Sequence, residues 1–452
     1  MPSTTVSASA APTDARSRWM TVGIPLGVFL LAFAAAWFRL PEASRDTFWA
    51  EDAKTFSVRM LDPGLLPWSV FTSYDGYVHV LPHSLAFLLW HVLPIPIELM
   101  AQAFTAAACA VAAAVAMGIH LLTGAWGLNI AGRLVLAFTT VLVPGLGFEV
   151  LGNLANVHWL LLWLAPFVFL ARPRRWWTAI LLGVVAFVIL TSEVQSALFT
   201  PLLLWHVRDR RRWPMLAGAF VGAVIQFIAL LGGGRSTWGE GLPRPLSIVL
   251  GYLLQVPLLG VSGSGEAASA VVASSGWIAA LLALVPFALC AVWWAWGSRR
   301  RLLVAGGIFA ASFVIWTAGY ALNVSSLVDF PALEDERLRE GFPLLRYAIV
   351  PLMLLYVFVG LAIGRQRMAR GSFPGAVAGA LVVLCAATFA VGYRVAANAP
   401  REAGPTWTEG LAAARAACDG ADPEDVTEIW IAPWEFWRFP VRCEVVQGWQ
   451  QD

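Results

Sequence analysis

The sequence predicts an all-α polytopic membrane protein with about 11 transmembrane helices and a small α+β extracytoplasmic C-terminal tail. Of 452 residues, 59% are hydrophobic and only 13% are charged, which is more apolar side chain than a soluble core can bury. Long apolar runs recur along the chain, and arginine clusters separate them. The net charge is only +2, so we expect no nucleic-acid partner.

Eleven apolar segments are predicted to cross the bilayer, because a spanning helix needs roughly 20 apolar residues and fewer where protein shields it. These segments are 20–38, 97–122, 134–147, 157–170, 177–191, 196–207, 215–231, 276–296, 302–322, 347–364 and 373–393. The first could instead be a cleaved signal peptide. Its length of about twenty residues favours an uncleaved anchor.

Arginine clusters are predicted to mark the cytoplasmic side, because positively charged loops are retained there. The clusters are Arg16/Arg18, Arg172/Arg174/Arg175, 208–212, 299–301 and Arg365/Arg367/Arg370. An even number of spans separates neighbouring clusters, which predicts a cytoplasmic N-terminus and an extracytoplasmic C-terminus. Counting 78–93 as a span would break this pattern, so we expect that segment, and also 246–259, to lie on the outer leaflet as surface helices.

This topology divides the chain into a cytoplasmic tail (1–19), a transmembrane domain (20–393) and an extracytoplasmic domain (394–452). The transmembrane domain has two long outer loops, at 39–96 and 232–275. Nearly all acidic residues fall in segments assigned outside or at outward-facing span ends. We therefore expect the polar chemistry of the protein at its outer face.

Glu51 and Asp52 are adjacent acids in the first outer loop, within TFWAEDAKTF. An ionised side chain at the bilayer centre costs about 2.5 to 3.5 kcal/mol, so this pair must contact water, a polar cavity or the interface. A carboxylate among apolar neighbours can have a raised pKa and accept a proton from a hydroxyl. We expect a catalytic role for one of the two acids, and the alternative is a salt bridge with Lys54 or Arg59.

The same loop continues as SYDGYVHVLPHSLAFLLW, which contains Tyr77, His79 and His83 as candidate substrate-binding residues. The two histidines are four residues apart, a spacing that puts two imidazoles on one helical face and could hold a metal. No third ligand is spaced nearby, so histidines at the membrane interface are the favoured interpretation.

A second polar cluster lies in GFEVLGNLANVHW, where Glu149, Asn153 and Asn156 fall at helical intervals before His158. On one helical face, Glu149 and Asn153 would offer hydrogen bonds to a sugar. The asparagines could equally cap short helices. Glu193, in LTSEVQS, is predicted at the tip of a hairpin near the same outer plane, either beside this cluster or as a simple loop acid.

Three arginines are predicted on the outer side, where arginine is less frequent than in the cytoplasmic loops: Arg235, Arg244 and Arg346. A guanidinium can bind a phosphate through two parallel hydrogen bonds. These residues are therefore candidate phosphate ligands, and interfacial anchors are the alternative.

The layout resembles the GT-C superfamily of polytopic membrane glycosyltransferases. The shared features are one span, a long outer loop with an early acidic pair, a surface helix, and many spans with short arginine-rich cytoplasmic loops. More narrowly, WAEDAKTF, YDGYVHVLPHSLA, EVLGNLANVHW and LLRY resemble a poorly characterised bacterial branch of that superfamily. The sequence departs from the pattern at His83, where an arginine is expected after LP.

The resemblance implies a GT-C-like, inverting glycosyltransferase that moves a hexose or pentose from a polyprenyl-phosphate donor. The acceptor would be a glycan or lipid of the cell envelope, on the outer face of a bacterial plasma membrane. Asp52, or Glu51, would be the general base that activates the acceptor hydroxyl. We expect no obligatory cofactor, and a divalent cation (Mg or Mn) would be the one to consider.

The C-terminal tail is predicted to form a short helix from TWTEGLAAARAAC and one or two strands from VTEIWIAPWEFWRFPVRCEVV. A unit of about 60 residues needs a covalent staple, and a disulfide between Cys418 and Cys443 would provide it outside the cell. Trp430, Trp434 and Trp437 could stack on sugar rings, but we expect them to form the small core.

Two other classes of function fit the same sequence. A transporter or flippase of lipid-linked envelope precursors would place ionisable residues or broken helices near the bilayer midplane. A non-catalytic membrane scaffold protein would keep the fold without a reaction. Transfer activity on a polyprenyl-phosphate sugar would distinguish a glycosyltransferase from both of these classes.

Overall fold

The computed structural model describes residues 22–62, 64–74, 76–233, 243–322, 328–334, 338, 344–365, 373–393 and 404–448. The predicted cytoplasmic tail 1–19 and the candidate phosphate ligand Arg235 lie outside these ranges. Within them the chain is mainly helical, and its few strands form two short hairpins.

The α-helices of six or more residues are named in chain order. They are α1 (Ile24–Arg39), α2 (Val80–Phe87), α3 (Met100–Thr123), α4 (Ile130–Leu142), α5 (Val157–Phe169), α6 (Trp176–Ser192), α7 (Trp213–Gly232), α8 (Pro245–Leu253), α9 (Gly265–Ser275), α10 (Trp277–Leu282), α11 (Val285–Ala295), α12 (Arg299–Leu322), α13 (Ile349–Gly364), α14 (Phe373–Val391), α15 (Trp407–Ala417) and α16 (Cys443–Gly448).

Shorter or irregular helical turns connect these helices. They are Glu42–Arg45, Asp52–Ser57, Val58–Met60, Pro67–Phe71, Leu88–Val92, Ile97–Leu99, Gly124–Trp126, Leu146–Glu149, Val194–Leu204, Arg210–Arg212, Leu254–Leu258, Leu259–Ser262, Phe330–Ala332 and Arg346–Ala348. The two antiparallel hairpins are β1 (Ser73–Tyr74) with β2 (Tyr77–Val78), and β3 (Val426–Trp430) with β4 (Arg438–Arg442).

Six helical stretches among the described residues are long and apolar enough to cross a membrane. They are Ile97–Trp126, Arg210–Gly232, Pro245–Ser262, Trp277–Ala295, Arg299–Leu322 and Arg346–Gly364. Five coincide with predicted spans, whereas Pro245–Ser262 corresponds to a segment expected on the membrane surface. The remaining predicted spans form apolar helices of 10–17 residues. The chain is therefore a helical protein with several candidate membrane spans, and the count of eleven stays a prediction.

Arginines of the predicted cytoplasmic loops gather at one end of the helix bundle, here called the basic end. Arg212 donates to the backbone carbonyl of Phe169 at the last turn of α5. Trp126 stacks on Phe167 of that same turn, with 5.3 Å between the two ring centroids. Arg301 and Arg365 line a groove with Trp126. The arrangement agrees with the pattern expected when positive loops share one side of a bilayer.

The opposite end of the bundle, here called the polar end, carries the buried acids. Arg39, the last residue of α1, is buried there and donates to the backbone carbonyls of Val141 (2.7 Å) and Gly392 (2.6 Å). It thus satisfies orphan carbonyl groups where α4 and α14 end. Three hydrogen bonds of this kind join the ends of α1, α4 and α14.

Glycine allows two pairs of helices to pack closely, as small residues commonly do between membrane helices. A Cβ on Gly218 of α7 would lie 2.0 Å from the carbonyl oxygen of Gly183 in α6. A Cβ on Gly132 of α4 would lie 2.4 Å from the Cα of Gly364 at the end of α13. These distances leave no room for a side chain.

The C-terminal domain packs against the first outer loop rather than standing apart. Phe48 of the loop lies 4.9 Å, between ring centroids, from both Phe104 of α3 and Trp407 of α15. Backbone bonds join the same surfaces: the N–H of Ala50 donates to the carbonyl of Ala432 (2.6 Å), and that of Ala432 donates to Phe48 (3.0 Å). The domain therefore shares one apolar core with the loop that carries Glu51.

Inside this domain, the predicted helix and strands form α15, β3 and β4, and the predicted pair Cys418 and Cys443 forms a disulfide with 5.4 Å between Cα atoms. The expectation for the tryptophans is wrong for two of them, since Trp430 and Trp434 are exposed at 36% and 40%. Trp407, Ile429, Phe439 and Val441 fill the core instead. Strand alternation turns Ile429 inward and its neighbour Trp430 outward.

Candidate functional site

A polar pocket lies at the polar end, where four separate parts of the chain meet. It is lined by Glu51, Phe56, Tyr74, Tyr77, His79, Ala155, Asn156, His158 and Arg346. The first outer loop, the β1–β2 hairpin, the turn before α5 and the turn before α13 each contribute side chains. The structure therefore brings together six of the predicted site residues: Glu51, Tyr77, His79, Asn156, His158 and Arg346.

Glu51 is the carboxyl group of this pocket. Its Oε2 atom is buried and has no hydrogen-bond partner among the described residues. Burial raises the pKa of Glu51 above its usual range; the charge of Arg346 lowers it in part, and Glu149 raises it further. A glutamate in these surroundings is a stronger proton acceptor than one in water.

Asp52 points away from the pocket and holds the backbone of the neighbouring loop. Only 2% of the residue is exposed. Its two carboxylate oxygens accept hydrogen bonds from the N–H groups of Leu154 (3.0 Å) and Ala155 (2.7 Å). Hydrogen bonds from backbone N–H groups to a carboxylate are strong. Of the two predicted bases, Glu51 faces the pocket and Asp52 orders its wall.

His158 and Glu193 form a buried pair at the start of α5 and the end of α6. The Nδ1 atom of His158 binds Glu193 Oε2, and Glu193 Oε1 accepts from the backbone N–H of Gln195 (2.7 Å). A carboxylate on Nδ1 leaves Nε2 of a neutral imidazole as an acceptor. Glu193 is only 2% exposed, so it is not a simple loop acid.

Arg346 supplies the positive charge of the pocket. Its Nη1 lies 2.7 Å from Glu149 Oε1, and its guanidinium lies 5.5 Å from the ring centroid of Tyr347. One carboxylate leaves other N–H donors of the fork available to an anion. Arg244 does not line this pocket, since it is largely exposed and forms an ion pair with Asp329 at 3.1 Å.

The two asparagines mainly order the turn before α5. Asn153 is fully buried, and its Nδ2 donates to the backbone carbonyl of Glu149 (2.6 Å). Its Oδ1 accepts from the backbone N–H of Asn156 (2.9 Å). Asn156 precedes α5 without capping it, and its Nδ2 also donates to the carbonyl of Glu149, the last residue of the turn Leu146–Glu149. Both asparagines therefore bind the end of that short turn, and substrate binding by Asn156, which lines the pocket, stays a prediction.

The histidines of the first outer loop have different surroundings. His79 lines the pocket and lies 4.3 Å from Tyr77 between ring centroids. His83 lies outside it, with Nδ1 2.9 Å from the backbone carbonyl of His79 and Nε2 2.7 Å from Arg59 Nη1. At 3% and 0% exposure, neither is an interfacial side chain, because α2 packs this face against protein.

No group of three or more His, Cys, Asp or Glu side chains in the described part of the chain is arranged to hold a metal ion. Two acids beside Glu51 already bind cations or imidazole, since Glu149 binds Arg346 and Glu193 binds His158. This donor set does not fit a divalent cation as it stands.

Several residues that line the pocket or join the helix ends were not predicted from the sequence. Phe56 and Tyr74 line it, and Arg39 joins helix ends at the same end of the bundle. A lone arginine at the outer end of a predicted span was the available signal for Arg39. Comparison with known protein families, curated proteins and solved structures shows no match to this chain. The resemblance to GT-C glycosyltransferases therefore stays a prediction.

Proposed function

We propose that the protein is an inverting membrane glycosyltransferase of GT-C type. It transfers a sugar from a polyprenyl-phosphate donor to a cell-envelope glycan or lipid. The observation that carries this proposal is the combination of Glu51, with an unpartnered buried oxygen, and the Arg346 guanidinium in one aromatic pocket. A base and a phosphate ligand are the two groups that such a transfer requires.

In the proposed reaction, the acceptor hydroxyl oxygen attacks the anomeric carbon of the donor sugar and forms the new glycosidic bond. The bond between that carbon and the phosphate oxygen breaks, and the phosphate leaves with the electron pair. Glu51 takes the hydroxyl proton. Attack from the face opposite the phosphate inverts the anomeric centre.

Arg346 would bind the phosphate while Glu149 holds its guanidinium in place. Binding at this position stabilises the negative charge that collects on the leaving oxygen. The Nε2 atom of His158 would accept a hydrogen bond from a sugar hydroxyl, because Glu193 fixes its tautomer. Tyr74 and Tyr77 offer aromatic faces to the sugar ring.

The proposed orientation puts the polar end outside a bacterial plasma membrane and the basic end in the cytoplasm. The N-terminus would then be cytoplasmic and the C-terminal domain extracytoplasmic. Gathering of Arg212, Arg301 and Arg365 at one end supports this orientation, because positive loops are retained in the cytoplasm. A disulfide in the C-terminal domain supports an oxidising compartment.

A transport function is the alternative that the same experiment must exclude. The charged side chains of the pocket lie at one end of the helices, whereas transporters place their sites near the bilayer midplane. This position favours transfer over transport.

The test uses purified protein in proteoliposomes with polyprenyl-phosphate mannose, glucose, galactose and arabinose as donors. Membranes from a strain lacking the gene supply the acceptors. We expect transfer of labelled sugar with release of polyprenyl phosphate, and a loss of at least about 100-fold in Glu51→Gln. Glu42→Gln, an exposed acid of the same loop, is the matched control.

Two results would contradict the proposal. One is Glu51→Gln transferring sugar at the wild-type rate. The other is movement of an intact lipid-linked sugar across the liposome membrane with no cleavage of any donor, which would make the protein a flippase.

A further inference from the structure

A second concave site lies on the other face of the segment that carries Glu51. It is a groove of about 580 Å³ between the first outer loop and β4 of the C-terminal domain. Residues of the groove wall used below are Lys54, Val58, Arg59, Asp62, Arg442 and Val445. None of them lines the pocket at Glu51.

Lys54 and Arg59 bring positive charge to this groove without a carboxylate partner among the described residues. Lys54 is exposed, and its Nζ lies 5.3 Å from the ring centroid of Trp437. Arg59 has no acid within ion-pair distance in the described part of the chain. A groove lined by two cations that no described carboxylate neutralises is suited to an anion, because a concave site lined by one sign of charge attracts the opposite charge.

A buried histidine holds Arg59 in position. Nδ1 of His83 donates to the backbone carbonyl of His79, so Nε2 is the acceptor for the Arg59 guanidinium at 2.7 Å. Burial, together with the Arg59 charge, lowers the pKa of His83 to about 4. The imidazole is therefore neutral at physiological pH, and the full charge of Arg59 remains available to a ligand.

The acids around the groove do not cancel this charge. Glu444 binds Arg442 at 2.6 Å and neutralises it. Asp62 accepts a hydrogen bond from the backbone N–H of Gly64 at 2.8 Å and is the single acid on the groove wall. With Arg442 neutralised, the positive charges of Lys54 and Arg59 exceed the negative charge of Asp62 by one.

We propose that this groove binds an anionic saccharide, a sugar chain that carries phosphate or carboxylate groups. The cations would bind the anionic group, and the apolar surface of Val58 and Val445 would contact the carbon face of a sugar ring. This inference deepens the proposed function and rests on it only in the role given to the bound chain. That chain would be the acceptor, and its free end would reach Glu51 around the segment 51–59.

Binding is measured by calorimetry on the full-length protein in detergent, with mannose 6-phosphate, digalacturonic acid, mannobiose and inorganic phosphate as probes. We expect at least one anionic sugar to bind more tightly than mannobiose and inorganic phosphate, with affinity that falls as salt rises. Lys54→Gln weakens that binding about threefold, and adding Arg59→Gln weakens it about tenfold in total. Arg438→Gln, an exposed arginine of the same strand as Arg442, leaves it unchanged.

The outcomes separate this inference from the catalytic proposal. Glu51→Gln retains anionic-sugar binding, so loss of transfer in that variant says nothing against the groove. Equal binding of mannobiose and both anionic sugars, or wild-type affinity in folded Lys54→Gln/Arg59→Gln protein, overturns the inference. Tighter binding of inorganic phosphate than of every sugar overturns it as well, because the site would then recognise a simple anion.

Discussion

Replacing Asp52 by asparagine tests whether its role differs from that of Glu51, the proposed base in the same loop. Asp52 accepts two backbone N–H groups, from Leu154 and Ala155, and only 2% of it is exposed. An asparagine keeps one acceptor oxygen. Its NH₂ group would face the second backbone N–H. Both groups are donors, so no hydrogen bond can form between them.

The expected cost follows from these two bonds. Each hydrogen bond to a buried charged group contributes about 1.5–3 kcal/mol, and a neutral one contributes about 1 kcal/mol. Losing two charged bonds and keeping one neutral bond therefore costs about 3 kcal/mol. Because asparagine is neutral, the variant avoids the cost of burying a charge, and the net loss of stability falls to about 2 kcal/mol. We expect Asp52→Asn to unfold at a lower temperature than the wild type and to lose transfer because its loop is no longer ordered.

Glu51→Gln is expected to behave in the opposite way. Since Oε2 of Glu51 has no hydrogen-bond partner among the residues that the structure describes, the substitution removes no described hydrogen bond from that atom. A carboxyl whose folded pKa is raised contributes stability below its unfolded pKa and loses it as pH rises through the folded pKa. At neutral pH the ionised group therefore costs stability, and Glu51→Gln should be as stable as the wild type or more so.

The assay compares thermal unfolding in detergent, followed by tryptophan fluorescence, with sugar transfer in proteoliposomes. Asp52→Asn should be destabilised, whereas Glu51→Gln should keep its stability and lose about 100-fold in rate. Equal unfolding temperatures for Asp52→Asn and wild type would refute the role assigned to its two hydrogen bonds. Normal transfer by Glu51→Gln would refute its role as the base.

Three further predictions concern packing, the disulfide and pH. Gly218→Ala should cost about 2 kcal/mol or more by detergent unfolding, because its Cβ would meet the carbonyl of Gly183 at 2.0 Å; Gly306→Ala, with open space around it, should cost nothing. Replacing both cysteines of the C-terminal disulfide by alanine should cost about 3.5 kcal/mol for a loop of 25 residues, measured as earlier proteolysis of that domain, and unchanged resistance would contradict this. The acid limb of kcat/KM should lie above the usual range of a glutamate, since Glu51 must be deprotonated to act and its pKa is raised; Glu149→Gln should move that limb to lower pH, and a limb that does not move would count against the assignment.

Sequence patterns located most of the candidate site but not the roles of its members. Glu51, His158 and Arg346 were predicted because polar side chains gather at the outward-facing ends of the predicted spans, away from the bilayer centre, where charge is costly. The pattern could not decide between Glu51 and Asp52. That choice depends on the N–H groups of residues 154 and 155, which lie more than 100 positions further along the chain.

The C-terminal domain shows the same division. Its helix, its strands and its pair of cysteines are local features, and each was predicted from its own segment. The exposure of Trp430 was not predicted. Which side of a hairpin is buried depends on what packs against it, and the local sequence does not specify that. The domain docks on Phe48 and Ala50 of the first outer loop, and no local pattern specifies that contact.

The sequence by itself determined that this is a helical membrane protein whose arginine clusters and most of whose acids lie at opposite ends of its apolar segments. Composition and hydropathy carry that information locally, because the cost of placing a charge in lipid is set by the side chain and its position along the apolar segment. Only the tertiary structure decided which acid faces the pocket, which histidine holds Arg59, and where a basic groove opens. These depend on contacts between segments distant in the chain, and such contacts exist only once the helices have packed.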